Sequence, residues 1–265
     1  MIILIGMNNL LEKFGLEVEK YSEEVSKQTN VVGIILTGSA GRRDFDQYSD
    51  IDNVVVVKGK HSVKEGKFVR GEFLFDTRVV TINELGVDWS DDMYFAYLNS
   101  SIVDDSEGLI KNIFKARAGM WKSLVSKKIS ISLVELSTIY EFKDNWKSLK
   151  TKTHYKKFIE RKDYLSAHRL LNLGFEIILN TLYLSNLKPV PDNKNKIKLL
   201  HTLDVITPGI ADLFTKAYIV KSIDNKDLNR RYDILNSLVL HTKKALIKKI
   251  KLPDDLYKFY LKERK

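Results

Sequence analysis

Two aspartates two positions apart are the residues best placed to do chemistry. Asp50 and Asp52 flank Ile51 at the start of segment 51–57, whose β-branched residues predict a buried strand. Because side chains alternate along a strand, both carboxylates should point to the same face. Two like charges side by side are costly unless a cation lies between them, and carboxylate oxygens suit Mg²⁺. The pair therefore predicts a divalent metal site.

A third acid, Asp76, lies in the apolar segment 68–80, which predicts two strand pieces around Gly71. A lone acid there needs a compensating partner. It could face water on an edge strand or pair with Arg78. If its strand runs beside that of Asp50 and Asp52, Asp76 becomes a third ligand. Two metal ions at such a site can stabilise the attacking and leaving oxygens of a phosphoryl transfer.

A small-residue loop precedes these acids. The apolar segment 31–37 predicts a strand that ends at Gly38-Ser39, and such a loop lets backbone N–H groups approach an anion closely. A helix starting after Ser39 would add its positive dipole end. Arg42 suits a phosphate through its planar fork, as does the adjacent Arg43, although neighbouring side chains rarely point the same way. The alternative for both is surface pairing with nearby aspartates.

The whole stretch resembles the nucleotidyltransferase superfamily, which includes DNA polymerase β. The hallmark is a strand, Gly-Ser, a spacer of about ten residues, Asp-hydrophobic-Asp, and a later acid. Here Gly38-Ser39, a ten-residue spacer, Asp50-Ile51-Asp52 and Asp76 match it, whereas Asn53 stands where the pattern has an apolar residue. The resemblance implies that three acids are catalytic metal ligands and that three loop residues bind the nucleotide, namely Asp50, Asp52 and Asp76, and Gly38, Ser39 and Arg42.

The second half is similar to the helical domain of kanamycin-modifying nucleotidyltransferases. A helix from about 161 to 187 is followed by a Pro-containing loop and Lys194. The resemblance implies that Lys194 contacts the triphosphate, with Lys196 close behind. It also implies a helical-domain glutamate as general base, with Glu141 preferred among the candidates Glu135, Glu141 and Glu176. Such enzymes often pair subunits, so a homodimer is compatible with the resemblance.

The pattern predicts an α+β architecture. We expect an N-terminal mixed β-sheet nucleotidyltransferase domain with flanking helices over 1–106, and a C-terminal all-α helical bundle over 107–265 that closes on the nucleotide and the acceptor. Residues 8–29 read as a helix, and residues 94–103 read as a further strand before a turn at 104–108. Helical periodicity is expected at 107–127, 130–158, 162–187, 193–204, 209–221, 226–250 and 252–263.

The composition limits the class of protein. The absence of Cys excludes disulfides, thiolate zinc sites and a cysteine nucleophile. The opening residues do not fit a secretion signal, and no apolar run reaches the roughly 20 residues needed to span a bilayer, so we expect a cytoplasmic protein without a membrane partner. The net charge of +10 permits nucleic acid as a partner, but solvated lysines on helix surfaces explain it as well.

These observations lead to one expected function and two alternatives. The expected function is transfer of a nucleoside monophosphate from a nucleoside triphosphate, ATP in the first place, to an acceptor hydroxyl on a small molecule or a protein. Two Mg²⁺ ions are the expected cofactors, and Mn²⁺ could replace them. The alternatives are a non-catalytic, antitoxin-type nucleotide-binding module and an RNA-modifying nucleotidyltransferase.

Overall fold

The structure, a computed structural model, describes residues 2–141, 153–204 and 208–250. The chain divides into two compact units, Met1–Gly119 and Met120–Lys265. The first unit contains the sheet and the second contains helices, so the predicted α+β class is confirmed. Among the described residues, no helix combines the length and apolarity needed to cross a membrane.

The first unit is built on a five-stranded mixed sheet with the strand order β3-β4-β2-β1-β5. Strands β2 and β4 are parallel, and the other neighbouring pairs are antiparallel. The strands are β1 (Val31–Leu36), β2 (Ile51–Val57), β3 (Gly66–Arg70), β4 (Phe73–Thr81) and β5 (Ser101–Asp105). The helices of this part are α1 (Ile2–Ser26), α2 (Gly38–Arg42), α3 (Ile82–Gly86), α4 (Asp91–Leu98) and the start of α5 (Leu109–Leu136).

Helix α1 covers one face of the sheet. Its buried Phe14, Val18 and Tyr21 pack in one cluster with Val55 of β2 and Phe75 of β4. This cluster uses the odd-numbered residues of β2 and β4, so the even-numbered residues, including all three predicted site acids, project from the opposite face.

A tight turn and a set of ion pairs fix strand β3 beside β4. Gly71 takes φ +56°, which glycine adopts without strain, in the two-residue connection between the paired residues Arg70 and Phe73. The Arg70 guanidinium bonds to Glu17 at 2.8 Å and to Glu24 at 2.5 and 2.6 Å, both on α1. The β3–β4 hairpin is thereby tied to the rest of the unit.

The predicted strand at 94–103 is wrong over most of its length. Residues Asp91–Leu98 form helix α4, whose first turn is capped by the Ser90 side chain accepting from the Met93 N–H at 3.3 Å. The aromatic residues there have high β-propensity, but they pack around Trp89 as one face of a helix. Only Ser101–Asp105 is a strand.

The second unit is helical within the described ranges. Its elements are the rest of α5, then α6 (His154–Glu160), α7 (Tyr164–Ser185), a 3₁₀ turn (Lys198–Thr202), α8 (Pro208–Tyr218) and α9 (Asn225–Lys249). Helix α7 packs against α6, α8 and α9. The predicted break at 128–129 is wrong because α5 is continuous there, and 193–204 yields only the 3₁₀ turn. The predicted tail helix at 252–263 lies outside the described residues.

Candidate active site

The parallel pairing of β2 and β4 brings the three predicted acids together. Asp52 and Asp76 are register partners on the two strands, and Asp50 immediately precedes β2. One carboxylate oxygen of each residue lies within 4.8 Å of the others, and all three side chains are partly exposed. The arrangement offers a set of oxygen ligands open to solvent on one side.

A glycine packs directly against one of these carboxylates. Gly38 takes φ +58°, and a Cβ atom at this position would lie 2.0 Å from Oδ2 of Asp52. The backbone N–H of Thr37 also donates to the Asp52 carbonyl oxygen at 2.9 Å. The turn after β1 is therefore fitted to Asp52, and any side chain larger than that of glycine would displace the carboxylate.

A lysine that the sequence did not single out sits among the acids. Lys67 on β3 is the register partner of Asp76. Its ammonium nitrogen lies 3.2 Å from Oδ2 of Asp50 and 3.5 Å from Oδ2 of Asp76. The side chain is 59% exposed, so it can swing away without breaking packing. Lys67 thus supplies an exposed positive charge to the acidic cluster.

Asp52 is the acid whose charge is least well compensated. Burial, followed by the negative charges of Asp50 and Asp76, raises the pKa of Asp52 from 3.8 to about 6, although Lys67 and Arg42 act in the opposite direction. A cation bound at the cluster would remove this penalty. The donor set and its excess negative charge therefore fit a divalent metal ion.

Asn53, which departs from the expected apolar pattern, has a structural explanation. It is buried on the face opposite the acids, and its amide nitrogen donates to Thr77 Oγ1 at 3.0 Å and to the Ile51 carbonyl oxygen at 3.3 Å. Thr77 in turn bonds to the Tyr21 hydroxyl at 3.2 Å. The residue links β2, β4 and α1, and it leaves the acidic face unchanged.

Comparison with known proteins decides the family. A profile described as a nucleotidyltransferase domain matches residues 18–169, more than half of the chain. The chain belongs to the nucleotidyltransferase family. It is accordingly a nucleotidyltransferase enzyme, and the matched region contains Gly38, the three acids and Lys67.

Other comparisons add little to this assignment. No curated protein matches the chain. A solved structure of a nucleotidyltransferase-like protein from Exiguobacterium sibiricum 255-15 is 14% identical, with a TM-score of 0.39 over 86% of this chain and 76% of that one.

The adjacent loop arginines of this nucleotidyltransferase, Arg42 and Arg43, have different surroundings, as expected for neighbouring side chains. The Arg42 Nε atom lies 3.3 Å from Oδ1 of Asp44, and its guanidinium lies 5.6 Å from the Phe95 ring centroid. Arg43 is exposed and takes φ 63° as it ends α2. The charge of Arg42 partly opposes the rise in the pKa of Asp52, whereas Arg43 is exposed to solvent.

The predicted lysines of the second unit differ from each other. Lys194 is exposed, and its backbone N–H donates to the Asp192 carboxylate at 3.0 Å. Lys196 is held by Glu176, with 3.3 Å between Nζ and Oε2. Of the pair, Lys194 has the less constrained side chain, and its contact with a triphosphate stays a prediction.

The predicted general bases also lie in the second unit. Glu135 is exposed on α5. Glu141 forms an ion pair with Lys156. Glu176 accepts from the Tyr218 hydroxyl at 2.6 Å and from Lys196. Two of the three are therefore neutralised by a lysine, and a catalytic role for any of them stays a prediction.

Proposed function

We propose that the protein transfers a nucleoside monophosphate from a nucleoside triphosphate to an acceptor hydroxyl and releases pyrophosphate, with divalent metal ions held by Asp50, Asp52 and Asp76. The observation that supports it most strongly is the gathering of these carboxylate oxygens within 4.8 Å at the paired ends of β2 and β4. The family assignment carries nucleotidyl transfer in general. The dependence on divalent metal ions and the class of the acceptor go beyond the family assignment and belong to the proposal.

The reaction makes one bond to phosphorus and breaks another. The acceptor oxygen bonds to the α-phosphorus, the bond from that phosphorus to the α,β-bridging oxygen breaks, and pyrophosphate leaves with the bonding electrons. The hydroxyl proton is released in net to solvent. When bound at the acids, Mg²⁺ or Mn²⁺ supplies charge stabilisation to the attacking and leaving oxygens.

Residues of this chain have distinct tasks in that reaction. The three carboxylates would hold the metal ions. The turn at Gly38 and Ser39 lets backbone atoms approach the triphosphate, and Arg42 and Lys194 add positive charge to it. Among the described residues, the Ser39 side chain has no hydrogen-bond partner, which leaves its hydroxyl available to a phosphate oxygen.

The acceptor class is proposed from what the chain resembles. A small molecule or a protein hydroxyl is favoured, because no recognisable RNA-binding module accompanies the basic charge. ATP is the expected donor nucleotide, and pairing of two subunits is expected from the resemblance to kanamycin-type enzymes.

The test is transfer of label. The purified protein is incubated with each α-³²P-labelled nucleoside triphosphate, Mg²⁺ and separate pools of small hydroxyl compounds, protein or RNA. We expect label in one pool and equimolar pyrophosphate. Asp52→Asn should abolish both signals, whereas the matched exposed-residue control Asp233→Asn on α9 should not. Nucleotide binding with no label in any pool would favour the antitoxin-type module and contradict the proposal. Label in RNA would instead indicate an RNA-modifying nucleotidyltransferase.

A further inference from the structure

A cavity of about 350 Å³ opens beside the acidic cluster within the first unit. Its lining includes Asp52 and Asp76 of the acidic cluster, and Asp92 and Tyr97 of helix α4. This volume is at the small end of the range for ligand sites. The cavity has room for a small molecule directly beside the metal-binding face.

Two hydrogen-bond donors in the cavity lack protein partners. Arg78 projects from β4 two residues after Asp76, so it shares the face of the acids. It is exposed and makes no hydrogen bond or ion pair with any other described residue. Tyr97 is only 5% exposed, yet its hydroxyl also has no hydrogen-bond partner within the described part of the chain. Arg78 and Tyr97 both line the cavity, and the charge of Arg78 opposes the rise that burial causes in the pKa of Tyr97.

The Tyr97 ring is buried, but its hydroxyl oxygen is not shut off from solvent, so it is available to a ligand in the cavity. A guanidinium and a phenol hydroxyl together can donate several hydrogen bonds to one anionic group, and Arg suits the planar geometry of a carboxylate or a phosphate. Asp92, at the start of α4, provides an acceptor for a hydroxyl or ammonium group of the same ligand.

The strand order indicates which substrate occupies the cavity. Strand β2, with Asp52, lies between β1 and β4. The Gly38 turn follows β1, whereas Arg78 belongs to β4, so the two lie on opposite sides of the Asp52 strand. The attacking and leaving oxygens of a phosphoryl transfer lie roughly in line on opposite sides of phosphorus. Thr37, next to the Gly38 turn, and Arg78 both line the cavity. If the pyrophosphate leaves toward the Gly38 turn, the acceptor approaches from the Arg78 side of the cavity.

We infer that this cavity is the acceptor site, and that Arg78 and Tyr97 bind a carboxylate or phosphate group of a small, anionic acceptor. The inference rests on the proposed function, because it assigns the second substrate of the same transfer. An anionic acceptor would differ from the aminoglycosides that kanamycin-type enzymes modify, since the guanidinium of Arg78 favours an anion.

The test uses four compounds built on the same three carbons. Glycerate carries a carboxylate, glycerol 3-phosphate a phosphate, glycerol no charge and 3-amino-1,2-propanediol an ammonium group. Their dissociation constants are measured by ligand-observed NMR with Mg²⁺ and α,β-methylene-ATP present. We expect at least one anion to bind about tenfold more tightly than glycerol and the amine, in keeping with a charged hydrogen-bonded contact. The tighter anion distinguishes a carboxylate from a phosphate acceptor.

Variants then locate the binding. Arg78→Met should weaken anion binding about tenfold, and Tyr97→Phe should weaken it less while keeping the ring packed against Trp89 and Phe114. Lys20→Met, which removes one exposed charge from α1, is the control and should change nothing. Tightest binding of the amine, or unchanged anion binding by Arg78→Met, would overturn the inference.

Two further measurements distinguish an acceptor site from a triphosphate site, and distinguish failure of the inference from failure of the proposed function. The affinity for α,β-methylene-ATP should be the same in Arg78→Met and the wild type, and an equal loss of nucleotide affinity would place Arg78 at the triphosphate and overturn the inference. Anion binding is measured without turnover. Binding through Arg78 in a protein that transfers no label would therefore contradict the proposed function while supporting an anion site in the cavity.

Discussion

Replacement of Gly38 by alanine tests how closely the turn after β1 is fitted to the acids. The added Cβ would lie 2.0 Å from Oδ2 and 3.0 Å from Cγ of Asp52, at a backbone φ of +58°. Ordinary contact begins at 3.4 Å, so Oδ2 has to move by about 1.4 Å. An L-residue in this left-handed conformation also costs about 1–2 kcal/mol.

The displaced carboxylate should lower the rate of transfer, whereas the strained backbone should lower the stability of the fold. Mg²⁺ demands near-octahedral oxygens at about 2.0–2.1 Å, and a misplacement of about 1 Å can reduce a rate about 100-fold. We therefore expect Gly38→Ala to transfer label at least about 100-fold more slowly than the wild type. The backbone cost alone should lower the Tm by about 2–8 °C.

The assay combines label transfer, Mn²⁺ binding and thermal unfolding. Gly108→Ala is the matched control, because Gly108 also has a positive φ of +70° but its Cβ would meet nothing within 4 Å. The control should lose comparable stability and keep its rate. A folded Gly38→Ala variant with the wild-type rate and Mn²⁺ affinity would refute the reasoning that Gly38 positions Asp52.

Three further predictions concern the charges of the site. Lys67→Met should raise the affinity for Mn²⁺ about two- to fivefold in the absence of nucleotide, because it removes an exposed competing cation; electron paramagnetic resonance of free Mn²⁺ measures this, and an unchanged affinity would contradict it. Asp76→Asn should reduce transfer by orders of magnitude while nucleotide binding falls much less, which a comparison of single-turnover rate with calorimetric Kd tests. Because the folded-state pKa of Asp52 is about 6, above its ordinary 3.8, charged Asp52 destabilises the metal-free fold fully above about pH 6, and this effect weakens as the pH falls and disappears below 3.8. Asp52→Asn should thus stabilise the metal-free protein by about 1–2 kcal/mol at pH 7.5, after discounting for solvent, and by no more than about 0.5 kcal/mol at pH 4; equal effects in denaturant unfolding at both pH values would count against it.

The acids could be predicted from the sequence because the pattern that indicates a metal site depends on residues that are close together in the chain. Asp50 and Asp52 share a strand face by alternation, and the adjacency of Asp76 required only one assumption about strand pairing. That pairing is parallel and skips β3. The predicted Gly38 turn is present, and the structure adds a reason for glycine there, the close approach to Asp52.

Lys67 and Tyr97 could not be found in the same way, and the sequence offered Arg78 only as an ion-pair partner for Asp76. A lysine on a short polar strand and an arginine on an exposed strand face read as ordinary surface residues, and only the register of β3 against β4 brings Lys67 to the acids. Tyr97 was assigned to a strand, because propensity favours β structure for aromatic residues. The Ser90 cap and the packing of α4 around Trp89 overrode that preference and turned Tyr97 toward the cavity.

The most direct test of the central claim is a crystal structure of the protein with Mn²⁺ and α,β-methylene-ATP, with the ions located by anomalous scattering. The account predicts Mn²⁺ at about 2.1–2.2 Å from carboxylate oxygens of Asp50, Asp52 and Asp76, with the triphosphate over the Gly38 turn and Lys67 displaced from the acids. A nucleotide bound elsewhere, or Mn²⁺ that leaves Asp76 more than about 6 Å away, would contradict it.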